Sequence, residues 1–225
     1  EVNISLDQNS VSQAVAEIRG RIDRAGGAHV ALVAVTKTFG PDAWGFARVA
    51  GCDAVGENYA QEVVAKAAEV AVTDRLPVHF IGQLQTNKVK MLADIIDVWQ
   101  SVDRVSAITE IAKRSKKPLI EAFIQVNLTD EPDKGGCDQS EVGSLLQVAR
   151  DSGVAITGLM TVGPTSGEPM QTRLAFRKLR VMANDFGLQQ CSMGMTGDLE
   201  IAVEEGSTMV RIGSAIFGNR PSPTR

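Results

Sequence analysis

Val30-Ala-Leu-Val-Ala-Val-Thr-Lys37 is a run of six apolar residues closed by a hydroxyl and an amine. So short a run, without polar alternation, reads as a strand covered on both faces, the situation in a parallel sheet flanked by helices. Neither GxGxxG nor GxxxxGK follows it, so the phosphate-binding start of an open doubly wound sheet is missing. Seven more runs of the same character lie at residues 52–55, 78–81, 98–101, 120–126, 156–160, 190–192 and 208–212. Helical periodicity fills the intervals at 41–50, 59–70, 86–95, 105–115, 140–151, 170–186 and 199–204, and 7–25 reads as an extra helix ahead of the first strand. Strands alternating with helices imply parallel pairing. With the open sheet weakened, the expectation is an α/β protein of the (β/α)8 TIM-barrel kind, residues 1–225 forming a single domain.

Hydrophobic residues make up 44% and charged residues 22%, enough for a full core without disulfides or structural metal. The net charge of -4 comes from acids and bases mixed along the chain. That excludes the basic stripe of a nucleic-acid binder and the polybasic patch of a membrane-surface protein. Cys52, Cys137 and Cys191 lie far apart with no CxxC pairing, which argues against a disulfide framework or a zinc ribbon and fits a reducing cytoplasm. Glu1-Val-Asn-Ile-Ser-Leu6 has no basic region leading into an apolar one, and no apolar run approaches membrane-spanning length. A cytoplasmic chain, acting as a monomer on small soluble partners, is the expectation.

In a closed barrel, chemistry gathers at the C-terminal ends of the strands. That rim would carry Lys37, Asn58, Met160, Ser192, Met193, Gly194, Gly213 and Ser214. An amine at the rim of an apolar barrel loses proton affinity by desolvation, and the neutral amine is what attacks an aldehyde. A strand-end lysine reaching into water is the alternative for Lys37. The segment Thr208-Met-Val-Arg-Ile-Gly-Ser-Ala-Ile-Phe-Gly218 reads as the last strand followed at once by Gly213-Ser214 and a short helical turn. Backbone N–H groups at such a turn bind phosphate, often together with the loop after strand seven, here Ser192-Met-Gly194. Both glycines making plain tight turns is the competing reading. Arg211 sits inside an apolar run, where a guanidinium needs a partner; an ion pair with Glu57 is one choice. Asn58 by itself reads as a helix cap, His79 as a hydrogen-bonded core histidine, and Cys52 and Cys191 as small core residues. Residues 130–136 and 163–168 are Pro/Gly-containing loops, candidates for lids.

Taken in order, these segments resemble the pyridoxal phosphate homeostasis protein family, the YggS/PROSC proteins. The likeness runs from Leu32-Val-Ala-Val-Thr-Lys37 through Gly56-Glu-Asn-Tyr59, His79-Phe-Ile-Gly-Gln-Leu-Gln-Thr-Asn-Lys88, Ser101-Val-Asp-Arg104, Gln125-Val-Asn127, Gly158-Leu-Met-Thr161 and Ser192-Met-Gly-Met-Thr-Gly-Asp198 to Val210-Arg-Ile-Gly-Ser-Ala-Ile-Phe-Gly218. It covers almost the whole chain, and an ordered set is far more specific than any one motif. The resemblance implies a barrel like the N-terminal domain of alanine racemase, holding pyridoxal 5'-phosphate as a Schiff base on Lys37. It puts Arg211 near the pyridine nitrogen, Asn58 near the ring, and Ser192, Gly194, Gly213 and Ser214 at the phosphate, with Met160 and Met193 in the same cofactor-binding set. It implies no metal. Thr196 stands where serine is common and Ser214 where threonine is common, and both keep a hydroxyl.

Two classes of function compete. One is a protein of vitamin B6 homeostasis that stores pyridoxal phosphate or transfers it to apoenzymes. The other is a catalyst, either an amino-acid racemase of the same fold or a Schiff-base aldolase. A racemase needs a second domain and a tyrosine base on the far face of its site; this chain ends at Arg225, just after the last expected helix, and its one tyrosine is Tyr59. The expectation is therefore a cofactor with one face open to water and little turnover.

Overall fold

The computed structural model describes residues 6–129 and 131–218. Its strands β1 (Ala31–Val35), β2 (Ala54–Glu57), β3 (Val78–Phe80), β4 (Val98–Val102), β5 (Glu121–Gln125), β6 (Ala155–Met160), β7 (Gln190–Ser192) and β8 (Met209–Ile212) pair in parallel in chain order and close into a barrel. The helices are α1 (Gln8–Arg24), α2 (Asp42–Val49), α3 (Ala60–Glu69), α4 (Thr86–Leu92), α5 (Val105–Arg114), α6 (Val142–Asp151), α7 (Pro169–Asp185), α8 (Leu199–Glu204) and the short α9 (Ser214–Phe217). The expected single (β/α)8 domain is what the chain forms. Two boundaries moved for identifiable reasons. β2 runs on to Glu57, a charged residue that ends an apolar run on paper but points outward into a buried cluster of donors. A 3-10 turn at Gln139–Glu141, held by a capping box with Asp138, takes the start of the helix expected at 140.

Successive side chains of a strand point to opposite faces, and each face meets a different layer. Outward residues such as Leu32, Ala34, Val55, Ile124, Leu159 and Val210 join the helices in the main core. Inward residues Val33, Ala54, Val98, Phe123, Met160 and Met209 form a separate apolar plug inside the barrel. Two positions further along β4 and β8 the inward residues are Gln100 and Arg211, so the interior turns from apolar to polar toward the C-terminal ends.

α1 seals the seam of closure. Asp7 caps it by accepting from the N–H groups of Asn9 and Ser10. Val11, Val15, Ile18 and Ile22, one per helical turn, are buried against α2, α8 and α9. Arg19 pairs with Asp53 and Arg21 with Glu200, tying the helix to units at both ends of the chain. All three cysteines are buried thiols; burial pushes Cys52 and Cys137 up to about 12 and Cys191 to about 11, leaving them unreactive. Among the described residues no helix is long and apolar enough to cross a membrane, and no group of three His, Cys, Asp or Glu could hold a metal.

Phe123 is the largest side chain of the inner plug and is fully buried. Phe123→Ala should lower unfolding free energy by about 3–5 kcal/mol in denaturant titration. A loss below about 1 kcal/mol would mean that the barrel interior collapses around the gap.

Candidate functional site

The β8–β1 pairing decides which distant residues meet. Val33 stands opposite Arg211 and Ala34 opposite Ile212, so the ends of the first and last strands open on one mouth. There a cavity of about 580 Å³ is lined by Val35, Lys37, Phe39, Met195, Thr196, Gly197, Arg211, Gly213, Ser214 and Gly218. The rings of Phe39 and Phe217 pack 5.3 Å apart at its edge. These lining residues bring a lysine amine, a guanidinium and no carboxylate, a donor set suited to an anion.

Gly213 makes the mouth narrow, since a Cβ there would come within 3.3 Å of Val35. Its carbonyl accepts from Ile216 and Phe217, starting α9, and the first N–H groups of such a turn have no acceptor within the helix. On the other side, Gly194 takes φ +102, and a Cβ there would lie 2.5 Å from that of Ala202. A side chain is excluded on both counts, and the loop after β7 lies flat beside β8, where the Gly194 carbonyl accepts from the Arg211 N–H. Asp198 braces this loop by accepting from the Met195 N–H at 2.5 Å. Burial raises the Asp198 carboxyl above its usual range, with Met195 and Arg211 opposing that shift.

Arg211 is buried inside the barrel and does not pair with Glu57, whose carboxylate faces the helices. Instead it donates to the Ser192 hydroxyl at 2.7 Å and to the Thr161 carbonyl at 2.8 Å. Ser192 in turn donates to Gln100 Oε1 at 2.6 Å, while the Gln100 amide donates to His79 Nδ1 at 2.7 Å and contacts Met209 Sδ at 3.1 Å. The result is one polar wire from β3 to β8. Burial drops His79 to about 4, so at neutral pH it is an uncharged ring whose Nδ1 accepts. Burial also lowers Arg211, to about 10, against the pull of Asp198; it remains a cation at pH 7.

Lys37, Arg211, Gly213 and Ser214 meet in the cavity. The remaining candidates are placed differently. The Ser192 hydroxyl is already committed, its proton to Gln100 and a lone pair to Arg211. Met193 turns outward into the helix layer and Met160 belongs to the inner plug. Asn58 lines a separate cavity of about 270 Å³ with Tyr59, Gln85 and Lys88. It does not cap α3, whose N-cap is Tyr59, and its Oδ1 is buried with no hydrogen-bond partner. Gln100 escaped sequence reading because a lone glutamine in an apolar run carries no motif; its period-two spacing from Val98 was the available signal. Thr196 and Gly197 were legible as part of the motif at residues 192–198 but not as cavity-lining residues.

The expected lids are latched to one another. Asp130 lies outside the described residues. Glu131 accepts from both the N–H and the hydroxyl of Thr165, which, with Lys134, brings its carboxyl down to about 2. Lys134 donates to the Gly163 carbonyl.

Residues 6–221 match the family described as alanine racemase, N-terminal domain. A pyridoxal phosphate homeostasis protein of Pseudomonas aeruginosa is 36% identical over 226 residues, covering 96% of this chain and 97% of that one. The structure of PipY of Synechococcus elongatus with pyridoxal phosphate bound superposes with TM-score 0.78 at 28% identity, over 92% of this chain and 100% of PipY. Alanine racemase from Streptomyces lavendulae shares the fold, with TM-score 0.76 at 19% identity over 97% of this chain and 59% of the racemase. By sequence and by fold together, the chain belongs to the pyridoxal phosphate homeostasis protein family, built on the alanine racemase N-terminal domain.

Proposed function

We propose that this chain binds pyridoxal phosphate at the barrel mouth, attached through Lys37, and holds it for storage or for transfer to apoenzymes in vitamin B6 homeostasis. One observation carries the reading: a primary amine and a buried cation line the same cavity as a Gly-Ser turn that starts a helix. The cavity, about 580 Å³, falls within the range of small-molecule sites. When bound, pyridoxal phosphate supplies an aldehyde that condenses with an amine and a ring that draws electrons from the carbon so attached. Lys37 provides the amine. Ser214, with the first N–H groups of its turn, takes the phosphate through a hydroxyl and backbone donors rather than a lysine cluster. Arg211 offers only donors, so a ring nitrogen beside it is held as an acceptor, without a proton, and the ring draws electrons weakly. Of the other candidates, Gly194 and Met193 contribute by shaping the loop, Ser192 by holding Arg211, and Met160 by flooring the site. The same reading makes the chain a cytoplasmic monomer. The binding of pyridoxal phosphate is supported by the relatives' names and by pyridoxal phosphate in PipY.

Borohydride reduction of the protein loaded with pyridoxal phosphate, followed by peptide mass mapping, should find the pyridoxyl group on Lys37. Labelling chiefly on Lys88 or Lys134 would move the site elsewhere. Ser214→Asp sets a carboxylate where the phosphate is placed. It should weaken binding of pyridoxal phosphate by about tenfold or more, roughly 1.4 kcal/mol, and leave unphosphorylated pyridoxal nearly unaffected. Equal losses for both ligands would contradict a phosphate at this turn. A racemase must remove and return a proton on opposite faces with two placed groups. Storage predicts that alanine in heavy water exchanges its α-proton orders of magnitude more slowly than the rate on the order of one per second of an ordinary enzyme; exchange at enzyme rates would favour a racemase.

A further inference from the structure

A buried charged cluster lies on the outer side of the barrel wall, directly behind Lys37. Glu57, at the end of β2, is fully buried, and the Lys66 side chain on α3 is only 3% exposed. Lys66 Nζ lies 2.6 Å from Glu57 Oε1 and donates to the Thr36 carbonyl at 2.7 Å. The same carboxylate oxygen accepts from the Thr36 hydroxyl at 2.5 Å and from the Trp44 indole N–H on α2 at 2.9 Å. Beyond Lys37, the Thr38 N–H donates to Glu62 at 2.7 Å, and Glu62 lies one helical turn before Lys66, 3.7 Å from its ammonium. Thr38 has φ +71, the single non-glycine residue in the left-handed region among the described residues. β-branched residues adopt that conformation at a cost and persist there only where the surroundings enforce it.

We infer that the Glu57–Lys66 pair, with Glu62, is a positioning device for Lys37: it clamps Thr36 and Thr38 and so fixes where the intervening residue enters the cavity. The inference deepens the function proposed above and rests on Lys37 being the amine that takes pyridoxal phosphate. Stability alone is a poor account of the cluster. A buried ion pair spends most of its attraction on desolvation, and apolar pairs of similar size usually do as well or better. Glu57 Oε2 and Thr38 Oγ1 are buried with no hydrogen-bond partner, which makes the cluster less favourable still for folding. Its bonds, however, converge on the two residues flanking Lys37 and bridge β1, β2, α2 and α3. On the β2 side of the first strand end, Thr36, α2 and α3 are thereby referred to the Glu57 carboxylate, and Thr38 to Glu62.

The test compares wild type, Lys37→Ala, the double variant Glu57→Gln/Lys66→Met and Glu62→Ala. Three quantities are measured: the unfolding midpoint, the rate of pyridoxal phosphate capture from the change in visible absorbance, and the affinity for pyridoxine 5'-phosphate, which has the phosphate and ring but no aldehyde. The double variant should unfold within about 4 °C of wild type, bind pyridoxine phosphate as wild type does, and capture pyridoxal phosphate about tenfold more slowly or worse, because a misplaced amine loses its approach to the aldehyde. Glu62→Ala, a half-exposed change with little effect on folding, should slow capture in the same sense and decides the matter if the double variant does not fold. Capture at wild-type rates in a folded variant, or a parallel loss of pyridoxine phosphate binding, overturns the inference while leaving the function standing. Failure of wild type itself to capture pyridoxal phosphate faster than Lys37→Ala removes the function and the inference with it.

Discussion

Everything at the mouth depends on the hydrogen bonds between β1 and β8. Parallel strands need a crossover between neighbours, so the first and last strands of eight meet only if the barrel closes, and here they do, with Ala31 opposite Met209 and Ala34 opposite Ile212. Without that ladder, Lys37 and Ser214 belong to opposite edges of an open sheet. With it they share a cavity. α1, wedged against α2, α8 and α9, adds apolar burial at the one seam that chain connectivity does not reinforce.

A second constraint concerns charge inside the barrel. A buried guanidinium is costly unless its donors are met, and Arg211 is met by a hydroxyl and a carbonyl rather than a carboxylate. The polarity of the wire follows from its Arg211 end. A guanidinium can only donate, so Ser192 accepts from it and gives its proton to the Gln100 oxygen, which leaves the Gln100 amide to donate to Nδ1 of uncharged His79. Arg211 therefore stays a cation with no counter-ion in direct contact among the described residues. On the function proposed above, such a group would hold an anionic, electron-poor ligand without making its ring a strong electron sink, which is why the proposal favours retention over turnover.

The fold was legible because most strands carry apolar residues on both faces and the intervals carry helical period; β7, three residues long with polar residues at both ends, was readable only as part of that rhythm. The cavity was legible at Lys37, Arg211, Gly213 and Ser214, where a polar or flexible residue interrupts or ends an apolar run. Its supports were not. Gln100 and Lys66 act through partners distant in sequence, and nothing in their immediate neighbours separates them from any glutamine or helix lysine. Glu57 was paired on paper with Arg211 since both sit near strand ends, but alternation of side chains sends one outward and the other inward. Asn58 has the composition of a cap, yet the chain enters α3 one residue later, at Tyr59. Conclusions about side-chain direction thus needed the register of the barrel, which local sequence does not specify.

The central claim is that barrel closure builds a single cofactor site from both ends of the chain. A crystal structure of the protein soaked with pyridoxal phosphate addresses it most directly. The account predicts ligand density continuous with Lys37 Nζ, with the phosphate against Gly213 and Ser214 and the ring beside Arg211. Density in the cavity bordered by Asn58, Gln85 and Lys88, or joined to any other lysine, would contradict it.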